Sequence, residues 1–382
     1  DEIINEIAAG EVIERPSSVI KELLENSIDA DSKNIIISVE KGGKEKIAVI
    51  DDGYGIDEKY IKLAIDRHAT SKLKSKEISQ INSLGFRGEA LYSIASAAYL
   101  TIISKTSYMQ SAKCLQVIKN ITNEIKPAKG KIGTNVIVEN LFYNMPVRRK
   151  FLKSDRSESL AIRDVVKKMA IANPRVGFKF YENGKLKVNY LKLKNIYSVE
   201  DSIEDRVRAV LGQDFLAASI FLNISSNNFS IKGYVSIPTY NKPNLNDSVI
   251  VINNRLIKDR LLFGAIKAAY SGLLAGGRFP VIVIFIDTNS NNLDINVHPT
   301  KSEVRILERS QLNSLLISNI RNCLEKAGLR NSIIFEKELL NKIKYNGQQE
   351  SNNQALNLQP YSTAQINPKE IVKNTDVINS KE

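Results

Sequence analysis

Only two cysteines and two histidines occur among the 382 residues. Cys114 and Cys323 can build neither a disulfide framework nor a metal-ligand set. His68 and His298 leave no histidine cluster for zinc. No apolar run approaches the ~20 residues needed to cross a bilayer, and no charged-then-apolar leader opens the chain. A Gly-x-x-x-x-Gly-Lys-Ser/Thr string is missing, which excludes a P-loop. No Gly-x-Gly-x-x-Gly follows a strand-like run, which argues against a dinucleotide fold. The thiol usage fits a reducing, cytoplasmic compartment. The first residue is Asp1 rather than Met, so a few residues are expected to precede it.

What is present suffices for a sizeable core, with 43% hydrophobic and 25% charged residues. The length points to two domains plus an extra segment. The net charge of +12 is uneven, because residues 141–199 carry 14 Lys/Arg against 4 Asp/Glu. An excess confined to one stretch is a patch, and phosphate is its natural partner.

Pro16 and Ser17 or Ser18 predict a helix over 17–29. Strand-like runs follow at 34–39 and 46–50, joined by the turn-forming Lys41-Gly42-Gly43. Helical periodicity returns at 57–66 and 87–97, then strand patterns at 99–104, 112–118 and 133–138. A long amphipathic helix is expected over 156–172. This is an α+β pattern, one mixed sheet with helices on a face. It restarts from about 200, with strands near 229–237, 248–252 and 280–286 and helices near 259–270 and 310–326. The expected domains are 1–195 and 196–330, with the boundary between Leu193 and Val199. The Asn/Gln/Ser-rich stretch 331–382 reads as a disordered linker to a domain beyond it.

Four constellations carry chemistry. On the first helix Glu22 and Asn26 stack one turn apart, away from the arc of Val19, Ile20, Leu23, Leu24 and Ile28. A carboxylate beside an amide oxygen suits a water-activating base next to a hard-cation ligand, although a solvated helix face gives the same pair. Asp51-Asp52-Gly53-Tyr54-Gly55 places a carboxylate at a strand end, able to accept from an exocyclic amine. A plain Asp-Gly turn has the same residues. Gly85-Phe86-Arg87-Gly88 precedes a helical pattern and offers backbone N–H groups to an anion. The polar run 73–83 before it has the composition of a lid. Gly133-Thr134 opens a strand with a hydroxyl.

Their order, Glu-x-x-x-Asn, Asp-x-Gly-x-Gly, Gly-x-x-Gly and Gly-Thr, resembles the ATPase fold shared by gyrase-type topoisomerases, heat-shock chaperones, sensor histidine kinases and MutL proteins. Longer strings are similar to the MutL family of DNA mismatch repair proteins specifically. These are residues 7–16, 21–30, 67–72, 83–91, 140–152 (NLFYNMPVRRKFL) and 296–301. The resemblance covers roughly residues 1–330 and implies a helix-on-sheet ATPase sandwich, then a smaller α/β domain of ribosomal-protein-S5-like type. It implies ATP and Mg²⁺ as cofactors, with Glu22 as the base and Asn26 as the metal ligand. Asp51 and Thr134 would meet adenine, with Gly55 giving close backbone approach. Gly85, Phe86, Arg87 and Gly88 would close over the phosphates, supported by Thr70, Ser71 and Lys72. Lys301 would reach the γ-phosphate from the second domain. Asp52 stands where the family commonly has Asn, adding a negative charge near the nucleotide, and Asn254 where it commonly has Gly.

On a helix from Arg156, the side chains of Arg156, Arg163 and Lys167 share one face, opposite Ile162, Val165, Val166 and Met169. With Arg148, Arg149, Lys150 and Lys153 just upstream they form a cationic surface. Arg255, Lys258 and Arg260 could join it along the DNA-facing groove that the family implies. No aromatic-interleaved base-reading module is visible, so sequence-independent phosphate binding is expected. The resemblance further implies a homodimer, a MutS-type mismatch-recognition partner, a downstream helicase or nuclease, and nucleoid association without membrane contact. Nothing in 331–382 supplies metal-ligand clusters, so no DNA cutting is expected of this chain. A topoisomerase ATPase half and a DNA-binding scaffold with a degenerate pocket are the competing readings.

Overall fold

Pro16 stands at the first turn of helix α1 (Pro16–Asp29), where its missing N–H has no intrahelical partner to lose. Val19, Ile20, Leu23 and Leu24 recur at helical spacing and are buried. The computed structural model describes residues 13–66, 88–193, 198–294 and 304–346.

Strands β1 (Asn34–Glu40) and β2 (Lys46–Asp51) pair antiparallel, from Ile35 opposite Asp51 to Glu40 opposite Lys46. Alternation sends Ile35, Ile37 and Val39 inward. The expected helix at 57–66 is instead α2 (Glu58–Ile61) and a separate 3₁₀ turn, Leu63–Ile65. Then come α3 (Ala90–Ala97), β3 (Tyr99–Lys105), β4 (Ala112–Ile118), β5 (Ile121–Thr122), β6 (Lys126–Ala128) and β7 (Gly133–Glu139). Helices α4 (Pro146–Phe151) and α5 (Asp155–Ala172) lead to β8 (Gly177–Glu182) and β9 (Lys185–Tyr190). The nine strands form one sheet in the order β5-β4-β3-β7-β2-β1-β8-β9, with β6 on β4. It is mixed, because β1 runs parallel to β8 while its other pairings are antiparallel. Helices α1 and α5 supply Leu23, Leu24, Ile162 and Val166 to its core.

The second part begins with α6 (Val199–Leu211), whose N-terminus is fixed by a reciprocal Ser198–Asp201 capping box. It continues through α7 (Gln213–Ala217), β10 (Ser219–Ser225), β11 (Phe229–Ser236), β12 (Asn241–Lys242), β13 (Val249–Ile252), β14 (Arg255–Ile257) and α8 (Arg260–Ala269). β15 (Phe279–Pro280), β16 (Ile282–Thr288), β17 (Leu293–Asp294), β18 (Arg305–Ile306) and α9 (Arg309–Asn346) follow. Five strands form a sheet in the order β10-β11-β16-β13-β14, with β13 and β16 parallel. Both its faces are covered, so β13 reads as an unbroken apolar run, Val249-Ile-Val-Ile252. Ile250, Ile252, Ile282 and Ile284 meet Leu262 and Ile266 of α8 and Leu312 and Leu316 of α9. Val249, Val251 and Val283 meet Ile203 and Val207 of α6 and Ile171 at the end of α5.

One buried cation ties the two sheets together. Arg206, on α6, is 1% exposed. It donates from Nε to Pro174 O (3.3 Å) and from Nη2 to Pro174 O (2.8 Å), Val176 O (2.7 Å) and Leu191 O (3.0 Å). Its guanidinium also lies 5.7 Å from the Tyr190 ring centre. Burial pulls it below the usual arginine range, to about 10, against the opposing influence of Tyr190.

Both sheets belong to one compact unit, Asp1–Ala327, and Gly328–Glu382 is a second. Helix α9 runs on to Asn346, into the stretch expected as a linker from 331. Glu336, Lys337, Leu339, Leu340 and Lys342 are good helix formers, and they outweigh the polar composition read there. No described helix is long and apolar enough to cross a membrane.

Candidate nucleotide site and basic surface

Strand alternation divides the two adjacent aspartates at the end of β2. Asp51 turns toward α1. Its Oδ2 accepts from Ser27 Oγ (2.9 Å), and its Oδ1 accepts from the backbone N–H of Gly53 (3.0 Å) and Thr134 (3.2 Å). Burial raises its carboxyl, opposed by the hydrogen bonds from Gly53, Ser27, Thr134 and Ser32. Asp52 turns the other way. It accepts from Lys33 N (2.6 Å), Asn34 N (2.8 Å) and Asn34 Nδ2 (2.7 Å). Burial pushes its carboxyl up, but those bonds outweigh it and the net shift is downward. The negative charge expected of Asp52 is therefore kept, and its carboxylate also holds the start of β1.

Glu22 is 9% exposed, and Asn26 lies one turn further on α1. Ser27, the neighbour of Asn26, is the residue that bonds Asp51, so helix and strand end meet at one corner. Thr134 Oγ1 is 2.9 Å from Ser104 Oγ, which also accepts from Ile56 N (2.7 Å). Ser104 carries no signal of its own in the sequence, and Ser27, though inside the 21–30 string, is a single hydroxyl that spacing alone does not single out. Tyr54, in the loop after β2, is raised by burial and then by Asp29 and Asp51, which puts its phenol within electrostatic reach of both carboxylates.

The glycines here are steric necessities. Gly55 has φ +75, and a Cβ on it would stand 2.2 Å from Lys105 O. Gly133 has φ +119, and a Cβ there would stand 2.0 Å from Asp51 O. Gly55→Ala is expected to cost about 2 kcal/mol or more, since the left-handed conformation and the clash both oppose it. Urea unfolding checks this, and an unchanged midpoint would show the loop has room to shift.

Gly88 has φ +64 and lies two residues before α3. Thr70, Ser71, Lys72, Gly85, Phe86, Arg87 and Lys301 lie outside the described residues. The frame around the Lys301 segment is described. β17 and β18 pair through Leu293 opposite Ile306 and Asp294 opposite Arg305. Arg309 Nη2 donates to Val304 O (3.1 Å) and lies 2.8 Å from Asp259 Oδ2. Upstream, Asn253 grips Thr288 at the end of β16 with two bonds of 2.9 Å.

The basic residues singled out in the sequence differ in exposure. Arg149, Lys153, Arg156, Lys258 and Arg260 are exposed, and Arg163 and Lys167 are half-buried. Arg148 is half-buried with its guanidinium 5.6 Å from the Phe142 ring centre. Lys258 is pulled down first by partial burial and then by Lys168, Lys21 and Arg15, with Asp164 opposing. Arg255 departs from the expectation. It is 6% exposed, within electrostatic reach of Glu25 and Asp29 on α1, and so does not belong to a phosphate-facing surface. Sequence reading takes an arginine after an Asn-Asn turn as exposed, whereas here the turn folds it inward.

Residues 14–135 match the family described as histidine kinase-, DNA gyrase B- and HSP90-like ATPases. Residues 207–325 match the family described as the C-terminal domain of DNA mismatch repair protein. Among curated proteins, the chain is 42% identical to the DNA mismatch repair protein MutL of Rickettsia bellii over 322 residues, 84% of this chain and 52% of that protein. It is 41% identical to the MutL of Rickettsia africae over the same shares. The chain thus spans about half the length of the curated relatives it matches. Among solved structures, the N-terminal domain of a DNA repair protein aligns with TM-score 0.73 at 23% identity, over 86% of this chain and 99% of that one. The Aquifex aeolicus MutL ATPase domain complexed with ADP aligns with TM-score 0.54 at 24% identity, over 72% and 93%. At these identities the structural likeness is one of fold.

Proposed function

Because this chain belongs to the MutL family of DNA mismatch repair proteins, we propose that it is their N-terminal ATP-driven switch. It binds ATP with Mg²⁺, hydrolyses it slowly and pairs with a second copy while ATP is bound. The observation that carries this reading is the corner of α1 and β2, where one helix bears Glu22 and Asn26 and bonds Asp51 through Ser27.

Asp51 fits adenine. Its oxygens are already oriented by three donors, and a carboxylate held this way presents acceptor capacity to an exocyclic amine. Thr134, braced by Ser104, adds a hydroxyl on the same side. The amide oxygen of Asn26 suits Mg²⁺, a hard ion that usually keeps waters and phosphates for its other positions. When bound, that ion supplies neutralisation of the phosphate charge. Glu22 orients and deprotonates the attacking water. Lys301 is assigned to the γ-phosphate, so loss of that phosphate releases its hold and resets the switch.

Asp51→Asn is expected to weaken ATP binding about tenfold or more, because the amide offers a donor where the adenine amine needs an acceptor. Equilibrium binding of labelled ATP in magnesium buffer measures it. Unchanged affinity would remove Asp51 from the adenine site.

DNA binding is assigned to exposed Arg149, Lys153, Arg156, Lys258 and Arg260, with Arg148, Arg163 and Lys167 behind them. Contacts of this kind go to phosphate, are salt-sensitive and carry no sequence preference. In the whole protein the switch would couple a MutS-type mismatch-recognition partner to a downstream helicase or nuclease, in the cytoplasm and at the nucleoid. The two-domain division at 193–199 belongs to the same proposal, with the second part presenting Lys301.

A further inference from the structure

Phe151 ends α4 with 82% of its surface exposed, and Val147, one turn earlier, is 68% exposed. Arg149, Lys150 and Lys153, all exposed, flank Phe151 in sequence, and Lys153 lines the same pocket as that ring. The short helix is held from beneath, since Met145 is buried and Arg148 lies over the Phe142 ring. Beside Phe151 opens a pocket of about 680 Å³, whose wall includes Met145, Arg148, Leu152 and Lys153. Of the two carboxylates on that wall, Glu14 and Glu158, the second is neutralised in place. Its Oε2 accepts from Arg15 Nε (3.1 Å) and Nη2 (2.9 Å), and its Oε1 from Lys153 N (3.0 Å). The surface thus combines an exposed aromatic ring on an anchored helix, an apolar hollow and an excess of positive charge.

We propose that Phe151 is a stacking platform for an unpaired nucleobase, with Arg149, Lys150 and Lys153 holding the flanking phosphates. The assignment rests on the DNA-binding reading above and adds a preference to it. A duplex keeps its bases stacked on one another and offers phosphates to such a surface. A single strand offers a free π-face between two phosphates, which is what a ring flanked by cations accepts. Stacking of this kind tolerates any base, so the site discriminates strandedness rather than sequence. Charge complementarity selects a polyanion as the occupant, and the flat exposed ring selects one with unpaired bases.

The test is fluorescence anisotropy of this chain with a labelled thymidylate oligonucleotide, the same oligonucleotide made abasic, and a duplex of equal length. Phe151→Ala is expected to weaken binding of the thymidylate strand on the order of tenfold. Affinity for the abasic strand and the duplex should not move. The slope of log affinity against log salt should also stay put, because no phosphate contact is lost. Phe151→Trp should restore the strand affinity, which guards against a folding defect in the alanine variant. Arg149→Ala should lower affinity for all three probes and flatten the salt slope. Equal losses on duplex and single strand, or none on the single strand, would overturn the platform while leaving DNA binding in place. If the unaltered chain binds none of the probes, both proposals fail. A change of oligomeric state in Phe151→Ala, read by light scattering, would assign the ring to a second copy of the chain and overturn the stacking role.

Discussion

Replacing Glu22 by glutamine is expected to give a protein that binds ATP normally and turns it over at least about a hundredfold more slowly, the usual contribution of a positioned general base. The substitution keeps the shape of the side chain and removes only its ability to take a proton. Glu22 is buried on a helix anchored through Val19, Ile20, Leu23 and Leu24, so its position is set by the core and should survive the change. Phosphate release under saturating ATP and magnesium measures turnover, and labelled ATP measures binding. Turnover at the unaltered rate would remove Glu22 as the base. Loss of binding together with turnover would make it a ligand-contacting group instead.

Arg206→Ala should damage the fold itself. The guanidinium, itself 1% exposed, satisfies three carbonyl oxygens with four hydrogen bonds, and truncation takes those donors from Pro174 O, Val176 O and Leu191 O. An unsatisfied buried acceptor costs about 1–3 kcal/mol, so a total loss of about 3 kcal/mol or more is expected. Lysine should not rescue, because one ammonium cannot reproduce a planar fork aimed at three acceptors. The urea midpoint should fall for both variants. An alanine variant as stable as the unaltered protein would mean the carbonyls find other donors and the latch is dispensable.

The periodic parts of the chain were legible, and the reason is visible at each one. β1, β3, β4 and β7 have one face in the core, so apolar and polar residues alternate through them. α1 and α5 carry an apolar arc against the sheet. β8 and β10 alternate but lie outside the expected strands, and others that sequence reading does not mark lack the pattern. β9 (Lys-Leu-Lys-Val-Asn-Tyr) is an edge strand, exposed along most of its length. β14 is three residues long, and α4 is too short to show a helical period. α6 was hidden because its burial is carried by few residues, Ile203, Val207 and the charged Arg206.

The same limit applies to the site. Order and spacing single out Glu22, Asn26 and Asp51, but the partition between Asp51 and Asp52 comes from the pleat of β2. Arg255 shows the converse failure. Charge in a sequence reads as surface, and only the fold places that guanidinium in the interior near Glu25 and Asp29.

Under the proposed function, the pairing of β17 with β18 bears on how tightly Lys301 can be recruited. Residues 293–306 form a loop whose two ends are already joined, at Leu293–Ile306 and Asp294–Arg305, with Arg309 fastening the exit. The entropy of bringing those ends together belongs to folding rather than to nucleotide capture. Opening that small ladder would transfer the closure term to the binding step and weaken the grip on ATP without touching a single ligand contact.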